Sequence, residues 1–134
     1  MITLNPGETR QINVALTPSP TILFTFKSLW VILQGTYYDV PITASLNTSA
    51  RYVIEVQNQS NLSATITVTS CFIDPDGIQR LLASATWTVG AGYPGSCGGE
   101  EVVLDKPGAW YVWAKIEGTG VIPIESQWHA INVS

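Results

Sequence analysis

The sequence predicts an all-β protein, a single antiparallel β-sandwich of about eight to nine short strands. Three observations carry that expectation. Apolar residues recur with period two along most of the chain, the spacing of strands whose side chains alternate between core and solvent. Clusters of Gly, Pro, Asn and Asp separate these runs at intervals of roughly 8 to 12 residues, as in sandwiches. No window carries a capped apolar stripe with the helical period of about 3.6 residues.

Taken in order, Arg10 to Leu16 alternates after the Pro6-Gly7 turn, and Thr21 to Lys27 alternates after Pro18-Ser-Pro20. The run Leu29-Trp-Val-Ile-Leu33 is apolar on both faces, so a strand there needs cover on both sides. A two-layer sandwich supplies one cover, and the other is expected from a neighbouring subunit. Leu29, Trp30, Val31, Ile32 and Leu33 are therefore candidate interface residues. After Gly35, the residues Tyr52, Ile54 and Val56 alternate with Arg51, Glu55 and Gln57. Leu62, Ala64, Ile66, Val68 and Phe72 then alternate with Ser63, Thr65, Thr67 and Thr69. Asn58-Gln-Ser-Asn61 between them reads as a hairpin loop. Asp74-Pro-Asp-Gly77 fits a type I turn, and Ser84 to Val89 alternates as a strand; the helix candidate Ile78 to Ala85 is short and is followed by Thr86-Trp-Thr-Val, which favours strand. Gly90 to Gly99 reads as a long loop. Ala109 to Glu117 and Ser126 to Val133, set off by Lys106-Pro-Gly108 and Gly118-Thr-Gly120, complete the strands. No repeat or compositional break divides the chain, so residues 1–134 are expected as a single β-sandwich domain.

Charged residues make up only 12% of the 134 residues, against 46% hydrophobic, whereas soluble domains usually carry about 25%. Thr, Ser, Asn and Gln take the place of the missing charges. The net charge of -4 and the lack of any Lys/Arg cluster argue against nucleic acid as a partner, because phosphate neutralisation dominates that affinity. The stretch Leu29 to Leu33 is far shorter than the ~20 residues of a membrane helix, so no membrane insertion is expected. The N-terminal residues lack the basic and apolar regions of a signal peptide, and none is expected in this chain.

Catalytic and cofactor motifs are weak. Gly90-Ala-Gly-Tyr-Pro-Gly95 has the letters of a dinucleotide fingerprint, but no helix pattern follows to aim its N-terminus at a phosphate. Asp74-Pro-Asp-Gly77 lacks the later ligands of a calcium loop. His129 is the only histidine, which excludes zinc sites built on several; it reads as a surface or subunit-contact residue. Glu100, Glu101 and Asp105 read as a solvated strand start. No enzyme, cofactor or metal is therefore expected. Cys71 falls on the outer face with Thr67 and Thr69, from where it could reach Cys97 in the glycine loop, and a disulfide between them is expected. N-x-S/T sequons stand at Asn47, Asn58, Asn61 and Asn132, possible glycosylation sites on an outside surface. In Ala109 to Glu117, the inward series Trp110, Val112, Ala114 and Ile116 leaves Tyr111 and Trp113 outward beside Lys115. That is a platform for a sugar or a protein partner.

Leu4-Asn-Pro-Gly-Glu-Thr9 leading into Arg10 to Leu16, with Asp105-Lys-Pro-Gly-Ala-Trp-Tyr-Val-Trp-Ala-Lys-Ile-Glu117 near the end, resembles the opening and penultimate strands of immunoglobulin-like modules. Such modules occur in microbial surface proteins and on virion exteriors. The chain departs from the immunoglobulin cysteine pattern, since Cys97 lies in the glycine loop and not on a facing strand. The resemblance implies an immunoglobulin-like sandwich. The expected function is that of a non-enzymatic structural protein of an extracellular assembly, most plausibly a virion capsid-decorating or turret-type protein. Its partners would be other subunits, either copies of itself or a capsid or shell protein. The alternative is a carbohydrate-binding or adhesin module, which would take glycans on the aromatic platform.

Overall fold

The computed structural model describes residues 21–134. They form β1 (Phe24–Leu33), β2 (Thr36–Asp39), β3 (Ile42–Ala44), β4 (Ser49–Asn58), β5 (Ala64–Ile73), β6 (Gln79–Val89), β7 (Pro94–Gly98), β8 (Val102–Val103), β9 (Gly108–Glu117), β10 (Ile124–Glu125) and β11 (His129–Val133). Among the described residues no helix forms, so none is long and apolar enough to cross a membrane. One sheet has the order β2-β1-β4-β7, with β8 also on β4; the other runs β3-β11-β9-β5-β6, with β10 also on β9. Pairing is antiparallel except between β3 and β11, which run parallel. The two sheets close over one core. The expected strand at Arg10 to Leu16 lies outside the described residues.

Period-two alternation builds the core from both layers. Tyr52, Ile54 and Val56 on β4 meet Ile66, Val68 and Phe72 on β5, and the Tyr52 and Phe72 rings meet edge to face at 6.3 Å. Trp110, Val112, Ala114 and Ile116 on β9 are all buried. In β1 the alternation breaks. The register shifts between Phe26 and Ser28, and the extra residue flips the parity, so Phe24 and Phe26 face inward before the bulge and Leu29, Val31 and Leu33 after it. What reads as two segments is thus one strand. A tight turn follows, in which Gln34 and Gly35 take φ values of 49° and 81°, a conformation that favours glycine and suits a two-residue hairpin.

Three local expectations need correction. Asn58 to Asn61 does not form a hairpin, because β4 and β5 lie in different sheets. The segment carries the chain across the sandwich so that both strands bury their even-numbered residues against each other. Asn58 is buried at the crossing and holds it: its Nδ2 donates to the carbonyls of Leu62 (2.8 Å), Gly90 (3.2 Å) and Val89 (3.3 Å), while its Oδ1 accepts from Ser60 N–H and Oγ–H. Leu62, read as an inward residue, stands exposed in this crossing. The Gly90 to Gly99 segment, read as a loop, contains β7, which pairs with β4. Glycine is needed there because the indole of Trp87 sits where a Cβ on Gly95 would go, 2.9 Å away.

Charge is concentrated where two turns meet. Asp74 Oδ1 accepts the N–H groups of Asp76 and Ile78, each at 2.9 Å, and its Oδ2 lies 3.0 Å from Lys106 Nζ. Arg80 forks onto Asp105 with both contacts at 2.8 Å, and its guanidinium lies 5.1 Å from the Trp110 ring centre. Burial works to raise the Asp74 carboxyl, but the Ile78 N–H, the Lys106 ammonium and the Asp76 N–H outweigh it and hold the group below the usual carboxylate range. The stability this gives is present above the unfolded value near pH 4 and is lost as pH falls through the folded value. Thermal melts from pH 7 to pH 2 should therefore show Asp74→Asn well below the wild type at neutral pH, with the two curves converging in acid. Parallel curves would contradict the assignment.

Candidate functional site

The candidate site is the outer face of the six-stranded sheet, and strand parity sets its contents. Odd-numbered residues of β5 and β9 and the even-numbered residues of β6 from Leu82 to Thr88 point away from the core. Near one end the face is a threonine ladder, in which Thr65 pairs with Thr88 and Thr67 with Thr86 through hydroxyl hydrogen bonds of 2.8 Å. The next row is Ser84, Thr69, Lys115 and Glu125, in register across four strands; Lys115 Nζ lies 3.6 Å from Glu117 Oε1. Then the chemistry changes. Leu82, Cys71 and Trp113 stand in register, followed by the row of Ile73, Tyr111 and Ala130.

Trp128 completes this apolar half. Ser126 pairs with Ala114 through backbone and side chain alike, its N–H donating to Ala114 O (2.7 Å) and its Oγ accepting from Ala114 N–H (2.9 Å). His129 lies opposite Val112, so the C-terminal segment has one residue more than β9 between these anchors. A bulge of that kind re-aims a side chain. Here it lays the Trp128 indole on Trp113, with ring centres 5.6 Å apart and planes inclined by 17°. Tyr111 is 41% exposed, Trp128 47% and Leu82 56%. Across β6, β5 and β9 the strip is roughly 10 Å wide at ordinary strand spacing, and the hydroxyls of Thr69 and Ser84 and the Lys115 ammonium border it.

The sequence places Tyr111, Trp113 and Lys115 on one outward face, and the structure brings them together there. It adds Trp128, Leu82, Cys71 and Ile73. Trp128 was legible in the alternation of Ser126 to Val133, which puts it on the side opposite Ile131 and Val133. The run Leu29 to Leu33 is divided: Leu29, Val31 and Leu33 pack into the core, and only Trp30 and Ile32 face out, on the other sheet. Tyr37 leans edge-on against Trp30 at 5.6 Å, so this second patch is partly covered by its own hairpin and lies on the far side of the sandwich from Trp113.

The expected disulfide is absent, and Cys71 and Cys97 are free thiols. Cys71 points out of the six-stranded sheet, whereas Cys97, opposite Ile54 on β7, points between the layers beside Val68, Ser70 and Ala83. The sheet itself separates them. Burial raises both thiols above their ordinary value. Among the sequons, Asn47, Asn61 and Asn132 are exposed, but the Asn58 amide is buried and hydrogen-bonded, which removes it as a glycan acceptor in the folded protein. His129, half-buried, borders a shallow cleft with Lys27, Ser28 and Asp39. Among the described residues no cluster of three His, Cys, Asp or Glu is arranged to hold a metal.

No protein-family model matches the chain, and no curated protein matches it. Solved structures do. The C-terminal domain of Wzt is similar at a TM-score of 0.61 with 10% identity, over 89% of this chain and 76% of that one. A β-glucuronidase of Bacteroides uniformis is similar at 0.61 with 17% identity, over 85% of this chain and 14% of the enzyme. The CARDB domain of the PF1109 protein from Pyrococcus furiosus, solved with di-metal ions, is similar at 0.53 with 16% identity, over 94% of this chain and all of that domain. The chain thus spans a small part of the β-glucuronidase, and likeness at such low identity concerns the fold. Together with the two packed sheets, it makes the described domain an immunoglobulin-like β-sandwich.

Proposed function

We propose that this domain is a non-catalytic carbohydrate-binding module and that the Tyr111, Trp113 and Trp128 face is where a sugar stacks. The exposed Trp128 indole stacked on the half-buried Trp113, beside the exposed Tyr111 on the same sheet face, carries this reading. The C–H face of a pyranose ring packs on such rings, while its hydroxyls meet polar groups at the rim. Thr69, Ser84 and Lys115 stand where that rim is needed. The β-glucuronidase that contains a similar sandwich acts on glycosides, which agrees with the reading. Titration of the full chain with a panel of neutral, amino and acidic oligosaccharides, followed by tryptophan fluorescence, should give a saturable change with at least one sugar. A flat response to the whole panel would overturn the proposal.

A second reading, a structural subunit of an extracellular assembly such as a virion decoration, draws on the separate outward patch of Trp30, Ile32 and Tyr37. The structural likenesses lend it no support. It predicts that the Trp30 patch, not the Trp113 face, is protected from solvent in native material.

A further inference from the structure

The four outer strands of the two sheets differ in one respect. Among the described residues, β2 has four residues, β3 has three, and β7 has five, including Pro94 and two glycines. Edges this short or interrupted resist pairing with another chain. In contrast, β6 has eleven residues and, among the described residues, pairs with β5 alone. Its bulge and its one charge, Arg80, stand at its start; from Leu81 to Val89 it holds no charge, proline or glycine, so that stretch lacks the devices that keep an exposed edge single. Its inward residues Leu81, Ala83, Ala85 and Trp87 are only half-buried, and among the described residues no further strand pairs along their open side.

We infer that β6 is a dimerisation edge whose partner is a second copy of this chain, paired antiparallel about a two-fold axis at Ser84. Pairing of the regular stretch Leu81 to Trp87 with its mate places Ser84 opposite Ser84, Leu82 opposite Thr86 and Ala83 opposite Ala85. The pairing brings no like charges together and supplies about seven backbone hydrogen bonds. A two-fold contact of this kind closes on itself and stops at two copies. It keeps both outer faces on the same side of one continuous twelve-stranded sheet. The two β9 strands then lie five strand spacings apart, about 24 Å, and their aromatic strips face the same way. Resting on the sugar-binding reading, the dimer would be a bivalent module that gains avidity on a surface displaying many glycans.

Sedimentation equilibrium on the full chain tests the pairing without reference to any ligand. The wild type should be a dimer. Ser84→Lys and Ser84→Glu, both on the exposed face, should each be folded by circular dichroism and monomeric, because each variant sets two like charges across the axis. An equimolar mixture of the two should restore the dimer. A monomeric wild type, or single variants that remain dimeric, would overturn the inference. If the dimer forms and no glycan binds, the pairing stands and only the sugar-binding reading falls.

Discussion

Trp110→Ala should lower the stability of the domain by about 3–5 kcal/mol, the usual range for deleting a buried tryptophan. A small domain has only about 5–15 kcal/mol in total, so the variant should be marginal at room temperature. Trp110 is completely buried on β9, and its indole N–H donates to the Lys106 carbonyl at 2.9 Å. The ring therefore does two things at once. It fills the centre of the core, and it anchors the turn that carries Lys106 and Asp105 to the Asp74 and Arg80 cluster. Trp110→Phe keeps part of the volume but loses the hydrogen bond, and it should recover only part of the loss. Urea denaturation followed by circular dichroism measures both variants. Equal stability of Trp110→Ala and the wild type would contradict this account of the core.

Trp113→Ala should weaken glycan affinity at least tenfold, about 1.4 kcal/mol, while lowering the urea midpoint far less than Trp110→Ala does, since the ring lies half-buried on the outer face and not in the core. Trp128→Ala should do nearly the same. The two rings support each other through one stack, so the double variant should bind little worse than either single one, a non-additivity expected of residues in contact. Trp30→Ala, on the opposite face, should leave affinity unchanged. Isothermal titration calorimetry with the sugar identified by fluorescence gives all four values.

Much of the site was legible because period-two spacing fixes side-chain direction once a strand is recognised. Trp110 inward with Tyr111 and Trp113 outward follows from that rule alone. What the spacing does not encode is which strand lies next to which. Asn58 to Asn61 has the composition of a hairpin, but burial of both flanking apolar series against each other sends the chain to the opposite sheet. The bulge in β1 and the extra residue before His129 are likewise invisible to a fixed period, and each re-aims side chains. The first turns Leu29, Val31 and Leu33 into the core in continuation of Phe24 and Phe26, and the second shifts the parity between Glu125 and His129. The disulfide expectation failed for a related reason. Cys71 was placed correctly on the outer face, but the glycine segment folds into β7, whose pairing with β4 turns Cys97 toward the core.

The central claim is that the outer face of the six-stranded sheet binds the ligand. The five tryptophans make it directly testable, because each indole N–H gives its own signal in a nitrogen-15 correlation spectrum. On titration with the sugar, the Trp113 and Trp128 signals should shift and saturate together, while those of Trp30, Trp87 and the buried Trp110 stay in place. Shifts confined to Trp30, with Trp113 and Trp128 unmoved, would place binding on the opposite sheet and contradict the account.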